Sequence, residues 1–375
     1  MYLIYIKTNI ALGTTVYLYI NYEPRLLYLY INYSVKLSFF NAALDQHIYF
    51  NTMSKEETTK PIDPFKLLYI VENDDGTIKR LYEFPQTAAA PDDHDGSTPV
   101  ITKDVILNPE HNTYVRIFLP RQALDNNTST TKLPLIVYYH GGGFIITHVD
   151  STPNHDFCHN MAHQLSAVVV SVEYRLAPEH RLPAAYDDSV EALHWIKTTH
   201  EKMIRDHVDY SKCYLMGTSA GGNIAYHVGL RVSKAVDDLE PLKIKGLLLH
   251  VPFFGATQRS ESELRLIHDP VLPISGTDLM WKMSLPIGSD RDHEYCNPTV
   301  GDDYDQIKKL GWLVVVKGCD GDPLIDGQKK LVEMFKKKGI KVETQFTEGD
   351  YHAAELVNPT KANELFVYLS HFLEK

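Results

Sequence analysis

No stripe of basic residues runs through this chain: 37 Lys and Arg face 48 Asp and Glu, a formal net charge of −11, and the cations are scattered. That excludes a surface built to neutralise a nucleic-acid backbone or to hold an anionic membrane. Cysteine is scarce too. The four, Cys158, Cys213, Cys296 and Cys319, lie far apart with no C-x-x-C pair. This excludes a disulfide framework and a zinc spacing, and it points to a reducing, cytoplasmic setting. Near the start, Asn, Thr and Glu break each apolar run before it reaches membrane-spanning length, so neither an export signal nor an anchor is expected. No Gly/Ser-rich or Pro-rich linker divides the body of the chain.

What is present divides in two. Residues 1–52 hold nine tyrosines, only five charged side chains, and the hexapeptide YLYINY twice, at 17–22 and 28–33. A repeat that short cannot form a solenoid unit. Very AT-rich codons encode such residues, so the expectation is a disordered or non-native stretch of translated upstream sequence, with Met53 as the working start. A genuine β-prone arm is the alternative.

Residues 53–375 alternate between apolar strand-like runs (113–119, 133–140, 167–174, 212–217, 243–250, 311–318 and 341–348) and helix-like stretches (187–202, 220–235, 326–339 and 360–375). Several runs are apolar on both faces. That pattern predicts one α/β domain, with a mostly parallel central sheet flanked by helices on both faces. Two pieces fall outside the alternation, about 53–73 and 261–288, and are expected to pack together as a small helical cap.

The stretch LMGTSAGGN, residues 215–223, places Ser219 among Gly217, Ala220, Gly221 and Gly222, directly after a strand-like run. G-x-S-x-G suits a sharp strand-to-helix turn that only small neighbours tolerate, and the following helix N-terminus points its N–H groups at any oxyanion formed there. A plain Gly-rich turn capped by serine is the competing role. YYHGGGF, residues 138–144, follows another strand-like run, and its Gly141, Gly142 and Gly143, with Ala220 after the serine, are the expected oxyanion hole, Gly142 and Gly143 as its foremost backbone donors. A phosphate cradle is excluded because no Lys-Ser/Thr follows the glycines.

A serine hydroxyl needs a base, and the base needs an orienting acid. In this architecture the chain order is serine, acid, histidine, with the last two in loops after the final strands. CDGDPLID offers Asp320, Asp322 and Asp326, and GDYHAAEL offers His352. Asp322, held ahead of Pro323, is the expected acid, and the other aspartates suit turns or helix caps. Attack by an activated Ser219, with backbone dipoles meeting the oxyanion, needs no metal or organic cofactor. Phe144, Ile145, Phe253 and Phe254 are the expected pocket lining for a small uncharged ester, with core packing as the competing role of the last two.

HGGGF, GTSAGGN, EYRLAPEHRLPAAYDD (173–188), DPLID (322–326) and YHAAEL (351–356), in that order, resemble plant carboxylesterases of the hormone-sensitive-lipase-like branch of the α/β-hydrolases. The resemblance runs from about Met53 to the C-terminus. It implies Ser219 as nucleophile, His352 as general base, Asp322 as its orienter, the Gly142, Gly143 and Ala220 amides as oxyanion hole, and a carboxylesterase as the activity. One departure stands out: the family usually has GDSAGG, and here Thr218 keeps a hydroxyl but no charge, so support of the turn is expected to differ. The family also includes lyases, cyclases, acyl transferases and gibberellin receptors. The receptors lack the histidine that His352 supplies.

Overall fold

The computed structural model describes residues 3–10, 14–23, 26–30, 63–74, 77–91, 98–124, 132–301 and 304–373. Met1–Met53 and Ser54–Lys375 are separate units. In the first, strands β1 (Leu3–Ile10), β2 (Thr14–Glu23) and β3 (Leu26–Tyr30) pair antiparallel in sequence order.

The second unit has the short helix Pro64–Leu67, followed by a two-stranded hairpin, β4 (Ile70–Glu72) and β5 (Ile78–Arg80). Its main sheet has eight strands: β6 (Val100–Asn108), β7 (Thr113–Pro120), β8 (Leu133–Tyr139), β9 (Val168–Val172), β10 (Val208–Thr218), β11 (Ile244–His250), β12 (Leu313–Gly321) and β13 (Val342–Tyr351). Their spatial order is β13-β12-β11-β10-β8-β9-β7-β6. The six from β13 to β9 run parallel, while β7 and β6 add antiparallel pairs at one edge.

Strand alternation sends successive side chains into two cores. Leu135, Val137, Tyr139 and Leu215 meet the helices Ala184–Thr198, Ala220–Val232 and Ile325–Lys338 on one face. Ile136, Tyr138, Tyr214 and Met216 meet Thr152–Leu165 and Pro359–Leu373 on the other. Both faces are therefore dry, as the doubly apolar runs predict.

The sequence reading missed the β4–β5 hairpin, whose first strand falls in the piece expected to be helical (about 53–73), as well as β6 and one long helix. In β6 the polar Thr102, Lys103 and Asp104 split the apolar residues into two short runs, and Ile106 is 69% exposed. The helix Thr152–Leu165 is rich in His and Asn, which blurs its apolar stripe. The helix expected at 187–202 instead starts at Ala184 after Pro183 and ends at Thr198.

Of the expected cap, residues 53–62 lie outside the described residues. The rest contains three short helices, Pro64–Leu67, Glu261–Arg265 and Ile274–Ser284. Gly276 lets the first reach the third, since a Cβ there would stand 2.7 Å from Leu67 Cδ2. Arg259 and Arg291 each pair with both Glu263 and Asp278, bracing the 261–288 insertion.

Candidate active site

β10 is flanked in register by β8 and β11, with Gly217 opposite Tyr139 and Leu249, and Thr218 opposite His250. The HGGG loop, Ser219 and His250 therefore emerge together at the carboxyl ends of adjacent strands, the usual ligand edge of such a sheet. Ser219 sits at φ 56° and ψ −116°, between β10 and the helix Ala220–Val232. A non-glycine residue there costs about 1–3 kcal/mol, which the surroundings must offset. They do so by close approach. A Cβ on Gly217 would lie 2.0 Å from the Gly221 carbonyl oxygen, and one on Gly221 would lie 1.9 Å from the Tyr139 oxygen. The Ser219 N–H donates to the His250 carbonyl (2.9 Å), and the Ser219 carbonyl accepts from Asn223 (3.1 Å) and Phe253 (2.9 Å). The Asn223 side chain accepts from the Tyr186 hydroxyl and donates to the Phe253 and Tyr295 carbonyls, tying the helix to the loop after β11.

His352 follows β13. Its Nε2 lies 2.9 Å from Ser219 Oγ, and its Nδ1 lies 2.9 Å from Asp322 Oδ2. Asp322 is fully buried, and it also accepts from the Leu324 N–H at 2.9 Å and from Gln328 Nε2 at 2.9 Å. With its acceptor sites filled by donors, the carboxylate takes the Nδ1 hydrogen of His352 and leaves Nε2 to accept from the serine. Burial alone pulls the His352 pKa down, but the Asp322 charge and hydrogen bond, helped by Asp269 and Glu355, outweigh it and hold the pKa above its ordinary value. The other two aspartates serve elsewhere. Exposed Asp320 accepts from the Gly349 N–H at 2.8 Å, and Asp326 accepts from the Ser262 N–H at 2.7 Å, at the start of a cap helix.

The glycine loop lies against the serine turn. A Cβ on Gly141 would meet the Thr218 carbonyl at 3.2 Å and Ser219 Cβ at 3.5 Å. Gly142 and Gly143 have φ of 100° and 61°, a backbone that side chains disfavour. Among the described residues, no acceptor takes the N–H of Gly142, Gly143 or Ala220. The loop is anchored beyond its glycines. The Tyr174 hydroxyl donates to the His140 carbonyl, and Glu173 accepts from Val149 N–H and pairs with His148. His140 is buried and stacked on Tyr174, and burial pushes its pKa down to about 4, so it is neutral at physiological pH.

The expected pocket residues Phe144, Ile145, Phe253 and Phe254 are all buried. Phe253 stacks on Trp281 of the cap, with centroids 4.5 Å apart, and Phe144 packs against both rings. Phe254 packs on Tyr226 and His227 within the core, the competing role weighed for it. Met280, also from the cap, covers Gly143, whose Cβ would stand 2.4 Å from the sulfur. Sequence reasoning missed Gln328, Asn223, Trp281 and Met280. Gln328 lies six residues past Asp322, in the first turn of a charged helix, where an amide reads as surface. For Met280 and Trp281, the signal was their place in the insertion.

Comparison with known proteins agrees with this architecture. The family model for the α/β hydrolase fold matches residues 136–356. Carboxylesterase 20 of Arabidopsis thaliana is 52% identical over 316 residues, covering 83% of this chain and 96% of that protein. A 3-O-acetylpapaveroxine carboxylesterase of Papaver somniferum is 44% identical over 322 residues, covering 83% and 97%. A gibberellin receptor of Arabidopsis thaliana is 34% identical over 301 residues, covering 76% and 84%. Among solved structures, an esterase of Pyrobaculum calidifontis superposes with a TM-score of 0.61 at 25% identity, covering 74% of this chain and 87% of that one. The chain belongs to the α/β-hydrolase fold family, in its plant carboxylesterase branch.

Proposed function

We propose that the protein hydrolyses a small, uncharged carboxylic ester, with Ser219 as nucleophile, His352 as general base and then general acid, and Asp322 as the group that orients His352. One observation carries this reading. The line from Asp322 Oδ2 through the His352 ring to Ser219 Oγ is unbroken, with both contacts at 2.9 Å. Ser219 Oγ attacks the ester carbonyl as its proton passes to His352 Nε2. The free amides of Gly142, Gly143 and Ala220 receive the oxyanion, with Gly141 as the residue that seats the loop against Ser219. Each such donor contributes about 3–4 kcal/mol to the transition state. The alcohol leaves with the proton from His352, and water repeats the sequence on the acyl-enzyme.

Phe144, Phe253 and Trp281 pack on one another next to the glycine loop with Met280 over Gly143, all of them buried, and we assign them as the wall and roof of a shallow acyl site. This supports a short acyl group. The poppy relative carries an acetyl ester in its name, and an acetyl ester is the substrate class we assign here.

A series of p-nitrophenyl esters across pH tests the reading. Attack needs neutral His352, and the charged form is favoured in the folded protein, so activity is lost at low pH and returns as pH rises. The expected kcat/KM climbs through a midpoint above 6.5, the ordinary histidine value. Acetate is expected to turn over faster than octanoate. A rate flat from about pH 5 to 8, or no turnover of any ester, would contradict the assignment.

A further inference from the structure

Behind the nucleophile, a second buried polar line joins the two catalytic loops. The Tyr138 hydroxyl donates to Thr218 Oγ1 at 2.9 Å, and Thr218 Oγ1 lies 2.9 Å from His250 Nδ1. His250 Nε2 stands 3.0 Å from one carboxylate oxygen of Glu355, off the line of a well-aligned hydrogen bond, and Lys317 Nζ pairs with the other oxygen. Lys317 also donates to Thr347 Oγ1 at 3.1 Å. Thr218 immediately precedes Ser219, and Glu355 follows His352 by three residues. Tyr138, Thr218, His250, Lys317 and Glu355 are all buried, and Phe157 stacks on the His250 ring.

One arrangement of the hydrogens gives every contact in this line a donor facing an acceptor, with the Nε2–H of His250 meeting Glu355 off line. Tyr138 donates to Thr218, Thr218 gives its single proton to His250 Nδ1, and Nε2 keeps its hydrogen toward Glu355. Lys317 then balances the one anion. Burial raises the Glu355 pKa, but His250 and Lys317 outweigh it and hold that carboxyl well below the usual range. A buried ion pair adds little net stability over apolar side chains of the same volume. What this one does have is position, because the His250 carbonyl is also the acceptor for the Ser219 N–H.

We propose that Glu355 is a positioning residue for the reaction. Through His250 it fixes Thr218 and the Ser219 turn, and through its own loop it fixes His352, so that Oγ and Nε2 stay within hydrogen-bonding distance. This rests on the assignment of Ser219 and His352 above. It also explains how the turn is supported without an aspartate at 218: the carboxylate contacts the far nitrogen of His250 instead of the near one.

The test is steady-state kinetics of the full chain on p-nitrophenyl acetate with Glu355→Gln, alone and combined with Thr218→Asp. Loss of sub-ångström registry in the attacking pair is expected to lower kcat about 10–100-fold with KM within about twofold. Adding Thr218→Asp returns a carboxylate to His250 from its Nδ1 side, and is expected to recover at least about tenfold of that loss. A residue that only held the fold would not be rescued by a second buried charge. Two results would overturn the proposal: unchanged kcat in Glu355→Gln, or a loss that Thr218→Asp does not recover. If Glu355→Gln does not fold, Thr218→Val cuts the same line at its neutral end. It is expected to lower kcat at constant KM, and an unaltered kcat overturns the proposal. Ser219→Ala run alongside separates the two levels, because activity retained there breaks the triad assignment and not this inference alone.

Discussion

Ser219→Ala is expected to lower kcat on p-nitrophenyl acetate by about 10⁴–10⁶-fold while the protein still binds ester, since what remains is the contribution of the amide donors and the pocket. The size of the effect follows from geometry. Ser219 Oγ is the hydroxyl joined to a carboxylate-backed imidazole, at 2.9 Å from His352 Nε2. The turn holds it at φ 56°, raised off the sheet edge. Alanine fits the same turn, because the contacts around it involve backbone and Cβ, so the fold is expected to be retained. Steady-state rates on the purified variant, with its melting curve as a check, give the answer. A rate within about tenfold of the parent would mean that another group attacks the ester.

Asp322→Asn is expected to cost about 10⁴-fold through the wrong histidine tautomer. An asparagine keeps one oxygen for the Leu324 N–H and presents its amide where Oδ2 stood. Gln328 can turn to meet that amide, because its Oε1 has no partner in the present arrangement. His352 Nδ1 would then accept, and the hydrogen would move to Nε2, facing Ser219 as a donor. A base that already holds its proton cannot take another. Asp320→Asn provides the contrast. The Asp320 side chain is exposed and accepts from the Gly349 N–H, so its loss is expected to change the rate by less than about threefold. If Asp320→Asn were the damaging change, the acid would be misassigned.

The parts of the candidate site that are legible in the sequence are those whose constraint is local. The turn at Ser219 needs small residues at 217, 220, 221 and 222, and these stand in one short word. The HGGG loop is equally legible, because three successive glycines have few other uses. His352 could be chosen by chain order alone, being the histidine in the loop after the last strand. Asp322 was harder, since three acids share eight residues, and only tertiary contact separates the one on His352 from those on Gly349 and Ser262. The groups that support the site from a distance left no local mark. Gln328, His250 and Glu355 are polar residues that burial makes structural, and composition reads each as surface. Their burial depends on which strands become neighbours, and that is a property of the sheet order, not of any single segment.

The same distinction applies to the fold. The parallel strands β8 to β13 were visible as runs apolar on both sides, or as the last such run in the chain. β6 was not, because Thr102, Lys103 and Asp104 break its apolar residues into two runs too short to stand out. Phe254 shows the limit for pocket residues: an aromatic next to the site can face the core as readily as the substrate, and here it packs on Tyr226.

The most direct measurement is to incubate the full chain with a fluorophosphonate probe and map the adduct by peptide mass. The expected result is a single stoichiometric adduct on the peptide containing Ser219, formed faster as pH rises through the His352 titration, in a protein that also turns over p-nitrophenyl acetate. An acyl transferase would take the label with little turnover, and a receptor would do neither. An active protein that carries the adduct elsewhere, or none at all, would contradict the assignment of Ser219 as the nucleophile.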